Sequence, residues 1–239
     1  MPSDDPSPAD PSPAALSPDT PLVDEVRPSP NHGVRAPAPG TEGLEPPVAR
    51  APSILVLHYT GMSGEEEAID WLANPRSGVS CHYVVREDGR VVQMVAEARR
   101  AHHAGVGAWE GERDVNSASV GVEISNRGHD FDYPDFPAAQ VEAVAALARD
   151  ICERHNIAPE RVIAHSDCAP ARKRDPGEKF PWDRLHALGV GHYVPPAPLG
   201  GGRFLARGDA GAPVEALQLM LSLYGYALEA SGTTSRPSA

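Results

Sequence analysis

Ile54-Leu55-Val56-Leu57-His58 places a histidine directly after four consecutive apolar residues. A short continuous apolar run is typical of a strand that is buried on both faces, in the middle of a sheet. Such a strand needs neighbouring strands on both edges and helices over both faces, so the segment predicts an α/β protein. His58 would then lie at the carboxyl end of a central strand, where open α/β sheets gather their functional side chains.

The rest of the sequence predicts a mixed central β-sheet flanked by helices. Two β-rich runs, 82–86 and 90–95, flank a turn at Glu87-Asp88-Gly89 and indicate a hairpin. Further strands are predicted at 119–124 and 162–164, and His165 follows the second of them directly. Apolar stripes at helical spacing, begun by acidic residues or by a proline, predict helices at 64–72 and 137–155.

Two imidazoles and one carboxylate occur at or soon after the ends of these strands. They belong to His58, to His165 and to Asp175, which lies in the loop beyond His165. This ligand set holds zinc tetrahedrally and leaves a fourth position for water, which is the arrangement of a hydrolytic site. A single histidine beside an apolar strand is more often a packing residue, so the assignment depends on the motifs around it. We therefore predict a zinc site at the strand ends.

Charge and hydropathy exclude two classes of partner. The 239 residues carry a formal net charge of -12, whereas nucleic-acid binding requires a concentrated basic surface. No apolar run approaches the ~20 residues that a membrane helix needs. We expect a monomer that binds neither nucleic acid nor membrane.

The first 50 residues and the three cysteines bear on location. More than half of the 26 prolines precede residue 53, so residues 1–50 are predicted to be a disordered leader rich in Pro, Ser and Ala. The part from Arg27 to Arg35 either lies along the folded domain or is plain linker. No basic region followed by an apolar one is visible at the amino terminus, and the odd, widely spaced cysteines suit a reducing compartment. The cytoplasm is therefore expected, with the periplasm or cell envelope as the alternative.

Five motifs, in this order and spacing, resemble the N-acetylmuramoyl-L-alanine amidases of the type 2 amidase family, which is related to the peptidoglycan-recognition proteins. The resemblance covers roughly residues 50–190 and rests on these segments: His58-Tyr59-Thr60; Cys81-His82-Tyr83-Val84 with Asp88-Gly89; Arg100-Ala101-His102-His103-Ala104-Gly105; Ser119-Val120-Gly121-Val122-Glu123-Ile124; and His165-Ser166-Asp167-Cys168-Ala169-Pro170 with Arg172-Lys173 and Asp175-Pro176-Gly177. Any one of them would be weak evidence, but five ordered motifs are specific.

The resemblance implies a zinc enzyme that cuts the amide between N-acetylmuramic acid, or its anhydro form, and the L-alanine of the stem peptide. Its partners would be muropeptides or the murein polymer, in cell-wall turnover or recycling. Glu123 is the predicted proton shuttle, and Lys173 the predicted donor to the oxyanion of the tetrahedral intermediate. Three residues are predicted to bind substrate: Arg100, His103 and Arg172. For His103, a supporting role beside a metal ligand is the alternative.

The chain divides, by composition, into the leader, a catalytic domain at 51–194, a linker at 195–204 and a carboxyl-terminal segment at 205–239. The linker contains Pro195-Pro196-Ala197-Pro198 and three glycines. The last segment resembles the opening of a peptidoglycan-binding module, with one helix where that module has three. It is either a truncated wall-binding module or a helix that docks on the catalytic domain.

Two other functional classes stay open at this point. A catalytically inactive peptidoglycan-recognition module would keep the cleft and lose a zinc ligand, and the presence of Asp175, Glu123 and Lys173 argues against it. A zinc peptidase that acts on another bond of the stem peptide would use the same residue types. Metal content distinguishes the first alternative from an amidase, and product identity distinguishes the second.

Overall fold

The strand predicted around Leu57 lies inside the central sheet. In this computed structural model, which describes residues 16–41, 43–46, 48, 50–198, 200, 202 and 204–234, strand β3 (Ile54–Tyr59) has a parallel neighbour on each edge. These neighbours are β7 (Ser119–Ile124) and β8 (Val162–Ala164). The four apolar residues of β3 are 0% exposed. The three parallel strands therefore end at the same edge of the sheet.

The remaining strands make the sheet mixed, as predicted. β4 (Tyr83–Val85) runs parallel to β7, and β5 (Val91–Gln93) pairs antiparallel with β4, which confirms the hairpin. β1 (Glu25–Val26) adds a short parallel strand, so that the order is β1-β5-β4-β7-β3-β8. β2 (His32–Val34) and β6 (Arg99–Ala101) form a separate antiparallel pair.

Helices cover both faces of the sheet. The long helix α3 (Ala138–His155) packs its apolar stripe against Leu55 and Leu57 of β3. The opposite face carries Ile54 and Val56, which pack with the short helices α2 (Val115–Ala118) and α4 (His165–Cys168), while α1 (Glu65–Ala73) covers β4 and β5. Alternate residues of β3 thus enter two separate apolar clusters, as the alternation of side chains along a strand requires. Two further helices are α5 (Trp182–Ala187) and α6 (Ala212–Tyr224).

The predicted disorder of residues 1–50 is wrong for much of the described part of that segment. Residues 1–15 lie outside the described residues, but β1 and β2 belong to the two sheets. Arg35 is 6% exposed, and its guanidinium donates to the backbone oxygens of Asn116, Ser117, Ser119 and Glu97. Hydrogen bonds and ion pairs, rather than buried apolar area, hold this segment, and therefore its composition gave no sign of order.

The end of the chain contributes one helix to the described structure. Between residues 204 and 234 only α6 is formed, and only Val214 of this helix is buried. The identity of this segment as a truncated peptidoglycan-binding module and the domain boundaries stay predictions. Among the described residues, no helix combines the length and the apolar character needed to cross a membrane.

Candidate metal centre and active site

The candidate site is assembled from the carboxyl ends of the three parallel strands. His58 is the fifth residue of β3, and Glu123 is its direct partner in register on β7. His165 begins α4 immediately after β8. Neighbouring residues in parallel register point to the same face of a sheet, so the strand order alone brings Glu123 beside His58.

Three ligand atoms converge at this edge. The Nδ1 atoms of His58 and His165 are 2.9 Å apart, and Oδ2 of Asp175 lies 3.1 Å from the first and 2.9 Å from the second. All three residues are buried. A backbone hydrogen bond of 3.0 Å, from the amide of Ser166 to the carbonyl of Asp175, ties the loop that carries the carboxylate to α4. The structure therefore brings the predicted ligands together.

The other ring nitrogen of His165 fixes the tautomer of that histidine. Nε2 lies 2.9 Å from the carbonyl oxygen of Ala104, which can only accept a hydrogen bond. Nε2 must carry the proton, and in the neutral ring Nδ1 is left with a free lone pair. This is the arrangement of a metal-binding histidine, whose second nitrogen donates to a backbone oxygen.

The tautomer of His58 is fixed through a longer chain. Ser119 Oγ donates to the carbonyl of Val115, so its lone pair accepts from Nε2 of His103, 3.2 Å away. Nδ1 of His103 is then unprotonated and accepts a hydrogen bond from Nε2 of His58, 3.0 Å away. The Nδ1 of His58 is thereby left unprotonated, like that of His165. We refer to Val115, Ser119, His103 and His58 as the histidine relay.

The resulting electrostatics favour a cation between the three ligands. Two nitrogen lone pairs and a carboxylate oxygen face one another at about 3 Å, an arrangement that is repulsive unless a positive charge lies among them. Burial and the neighbouring His165 lower the pKa of His58 to about 4, which keeps its ring neutral at pH 7. The donor set thus fits a divalent metal ion.

A cavity of about 380 Å³ contains the predicted catalytic residues. Glu123 and Lys173 line it together with His165 and Asp175. Oε2 of Glu123 is buried and has no hydrogen-bond partner among the described residues. Burial, and then the charge of Asp175, raise the pKa of Glu123 well above its usual range. An unpaired carboxyl beside the ligands is free to exchange protons with a reacting group.

The three predicted substrate-binding residues have different surroundings. Arg100 is not among the residues that line the cavity, and its guanidinium is bound to Asp114 and Ser117, so the structure does not support its predicted role. Arg172 does line the cavity, but it donates to the carbonyls of Ala104 and Val106 and so holds that loop. His103 borders the cavity while it belongs to the histidine relay, which agrees with the alternative role given above.

The loop after β7 supplies residues that the sequence analysis missed. Arg127 and His129 line the cavity, and neither residue belongs to the five motifs of the sequence. The hydroxyl of Tyr59, next to His58, lies 2.9 Å from Nδ1 of His129, whose Nε2 lies 2.9 Å from Glu178. The position of this loop in the sequence could have indicated its role, because the loop follows the carboxyl end of a parallel strand adjacent to β3, where ligands bind in such sheets.

Comparisons with known proteins agree with this geometry. Residues 48–178 match the family model Amidase_2, described as N-acetylmuramoyl-L-alanine amidase. The N-acetylmuramoyl-L-alanine amidase AmiD of Escherichia coli (strain K12) is 37% identical in an alignment 187 residues long, which covers 72% of this chain and 66% of that protein. The 1,6-anhydro-N-acetylmuramyl-L-alanine amidase AmpD of Enterobacter cloacae is 30% identical in an alignment 178 residues long, which covers 67% of this chain and 87% of that protein.

A solved structure extends the similarity to the fold. The complex of AmiD from E. coli with its substrate, anhydro-N-acetylmuramic acid-L-Ala-D-gamma-Glu-L-Lys, has a TM-score of 0.63 and 34% sequence identity, and covers 74% of this chain and 73% of that chain. The family model, the two relatives and this fold all point in one direction: the chain belongs to the N-acetylmuramoyl-L-alanine amidase family.

Proposed function

We propose that the protein is a zinc-dependent amidase that hydrolyses the amide between N-acetylmuramic acid, or its anhydro form, and the L-alanine of the stem peptide. The observation that carries the proposal is the convergence of His58, His165 and Asp175 beside the unpaired carboxyl of Glu123. Two nitrogens and one oxygen, all buried, form the ligand set of catalytic zinc sites with an open position, and His165 and Asp175 also line the cavity.

The chemistry divides between the ion and the side chains around it. Zinc, when bound, lowers the pKa of a water molecule and polarises the amide carbonyl. Glu123 takes a proton from the attacking water and returns it to the nitrogen of the leaving L-alanine. A raised pKa brings this carboxyl towards the operating pH, which suits a group that must both accept and donate a proton.

Lys173 is the proposed donor to the oxyanion. Its backbone amide donates to the carbonyl of Ala169 at 3.0 Å, so the residue belongs to a turn that directly precedes the ligand Asp175. Its side chain lines the cavity together with Glu123. A positive group held there opposes the negative charge that develops on the amide oxygen.

The cavity suits a fragment of peptidoglycan. One part of its wall carries Lys173 and two arginines, Arg127 and Arg174, which pair with the exposed carboxylates of Asp132 and Asp130 at 3.0 Å. Exposed ion pairs are weak, so a carboxylate of a stem peptide can replace these partners. Another part is apolar and includes Trp71, whose side chain is 45% exposed and can stack on a sugar ring. We propose muropeptides as the substrates, with the cytoplasmic location and the monomeric state left as predictions.

Mass spectrometry of muropeptides tests the proposal. The zinc-loaded protein, the Glu123→Ala variant and a control, Glu153→Gln, are each incubated with an anhydromuropeptide and with polymeric murein. Glu153 is exposed on α3 and does not line the cavity. We expect wild type and control to release an intact peptide that begins at L-alanine, and Glu123→Ala to release none while it retains metal.

Two other outcomes would favour the other functional classes. Cleavage within the stem peptide would indicate a zinc peptidase. Failure of the wild type to cleave any bond would indicate a recognition module, whether the protein takes up no metal, as expected of that class, or binds metal without using it.

A further inference from the structure

The carboxyl-terminal segment contacts both of the structures that support His165. The first is Asp167, two residues after the ligand. Its Oδ2 accepts a hydrogen bond of 2.8 Å from the amide of Ala164, so this carboxylate caps α4, of which His165 is the first residue. Its Oδ1 accepts a hydrogen bond of 2.7 Å from the hydroxyl of Tyr226.

The second support is the loop whose backbone accepts the hydrogen bond from Nε2 of His165. Ala104 accepts that hydrogen bond, and four residues later the amide of Ala108 donates to the carbonyl of Cys168 in α4, at 2.8 Å. The same loop continues to Trp109 and then to Glu110, whose amide donates to the carbonyl of Gly225 at 2.9 Å. The loop is therefore held between α4 on one side and the carboxyl-terminal segment on the other.

Gly225 and Tyr226 fit closely against Trp109. Gly225 has a φ of +131°, and a Cβ atom there would lie 2.8 Å from the indole ring, so another residue would not fit without a shift. Tyr226 pairs with Trp109 as an isolated antiparallel bridge, and their rings meet edge to face at 5.2 Å. Trp109 is 1% exposed and belongs to the apolar cluster under β3. The contact thus continues into the core that supports the strand of His58.

We infer that Tyr226 is a positioning residue for the metal ligand His165, which it acts on through Asp167. The inference rests on the metal centre proposed above. A free Asp167 carboxylate could turn both oxygens towards solvent, whereas the hydroxyl of Tyr226 holds one of them and leaves the other directed at the amide of Ala164. The carboxyl-terminal segment then completes the metal centre, whether or not it also binds cell wall.

Removal of a single hydroxyl tests the inference. Tyr226→Phe keeps the ring against Trp109 and removes only the hydrogen bond to Asp167. Tyr224→Phe is the matched control, because Tyr224 stacks on Tyr226 at 6.2 Å and also meets Trp109, while its hydroxyl makes no hydrogen bond within the described part of the chain. Affinity for zinc is measured on the full chain by competition with a chromophoric chelator, and the visible spectrum is recorded with cobalt(II) in place of zinc.

We expect Tyr226→Phe to lower zinc affinity about 10-fold, the lower end of what supporting hydrogen bonds contribute, and to change the cobalt spectrum. Tyr224→Phe should match the wild type in both. Asp167→Ala is the second variant, and it should weaken binding in the same direction because it removes both oxygens that accept from Ala164 and Tyr226.

The contrary results are distinct. Wild-type affinity and spectrum in Tyr226→Phe would show that the contact only docks α6, and they would overturn the inference even if the protein proves to be an amidase. A wild-type chain that takes up neither metal would overturn the inference together with the metal centre. Metal binding without cleavage of muropeptides would overturn the proposed function alone.

Discussion

Substitution of Ser119 by alanine should weaken metal binding, although this serine touches no ligand atom. Ser119 is 0% exposed, and its Oγ both donates to the carbonyl of Val115 and accepts from Nε2 of His103. Without the hydroxyl, Nε2 of His103 loses its hydrogen-bond acceptor, so the tautomer with the proton on Nε2 is no longer favoured. A His103 that carries the proton on Nδ1 would force His58 to accept on Nε2 and to protonate Nδ1, the atom that binds the metal.

The magnitude follows from the lost hydrogen bonds. A buried donor or acceptor without a partner costs about 1–3 kcal/mol, so Ser119→Ala should lower the free energy of unfolding of the metal-free protein by about 2 kcal/mol. For a chain of this size that corresponds to a decrease in Tm of about 4–8 °C. The lost hydrogen bond favours one tautomer of His58 over the other by about 1.4 kcal/mol, which corresponds to a factor of ten in their populations. We therefore expect zinc affinity to fall about 10-fold in Ser119→Ala.

The assay compares two buried serines. Ser29 is 3% exposed, and its Oγ donates to the carbonyl of Leu72 and accepts from the amide of Asn31, so Ser29→Ala removes an equivalent pair of hydrogen bonds outside the histidine relay. Thermal unfolding of the metal-free proteins and chelator competition for zinc are measured on both variants. Equal loss of zinc affinity in the two, or wild-type affinity in Ser119→Ala, would refute the relay as the source of the tautomer.

Three further predictions concern the cavity and the network at Glu97. Lys173→Met should lower kcat about 100- to 1,000-fold with unchanged metal content, as steady-state kinetics and metal analysis can check. Arg127→Ala should raise KM about 10-fold, whereas Arg100→Ala, outside the cavity lining, should leave KM unchanged. Burial opposes ionisation of Glu97, but hydrogen bonds from Arg154, His155 and Tyr83 prevail and lower its pKa from 4.5 to about 2. The ionised Glu97 therefore contributes its full stabilisation above about pH 4.5, and this contribution is lost as the pH falls towards 2. Glu97→Gln should be about 3 kcal/mol less stable than wild type at pH 7 and nearly equal to it near pH 2, as urea unfolding at the two pH values can check.

Strands and long helices could be predicted because their burial leaves a periodic apolar pattern. β3, β7 and β8 were found in this way, and α3 was predicted to within one residue at its start. The ligands followed, since His58 and His165 come at the ends of two of these strands. No periodic pattern indicates the roles of Asp175, Glu123 and Lys173, and the prediction of these roles rests on the ordered family motifs that contain them.

Elements held by polar contacts could not be predicted from periodicity. β1 has two residues, and Glu25 within it forms an ion pair with Arg86 at 3.0 Å. Arg35 bonds to carbonyls more than 60 positions away along the chain. The surroundings of Arg100 could not be predicted for a similar reason, because nothing in a sequence shows that Asp114 is close enough to bind its guanidinium.

The histidine relay explains why the metal site depends on more than its three ligands. Strand order determines where His58 and His165 lie, but it does not determine which nitrogen of each ring carries the proton. That choice rests on two backbone carbonyls, those of Val115 and Ala104, which can only accept. Because the carbonyls belong to α2 and to the loop before Trp109, a change that moves either segment should alter metal affinity without contact with the ion. Amidase activity should therefore be sensitive to substitutions in both segments, and the effect should appear first in metal content.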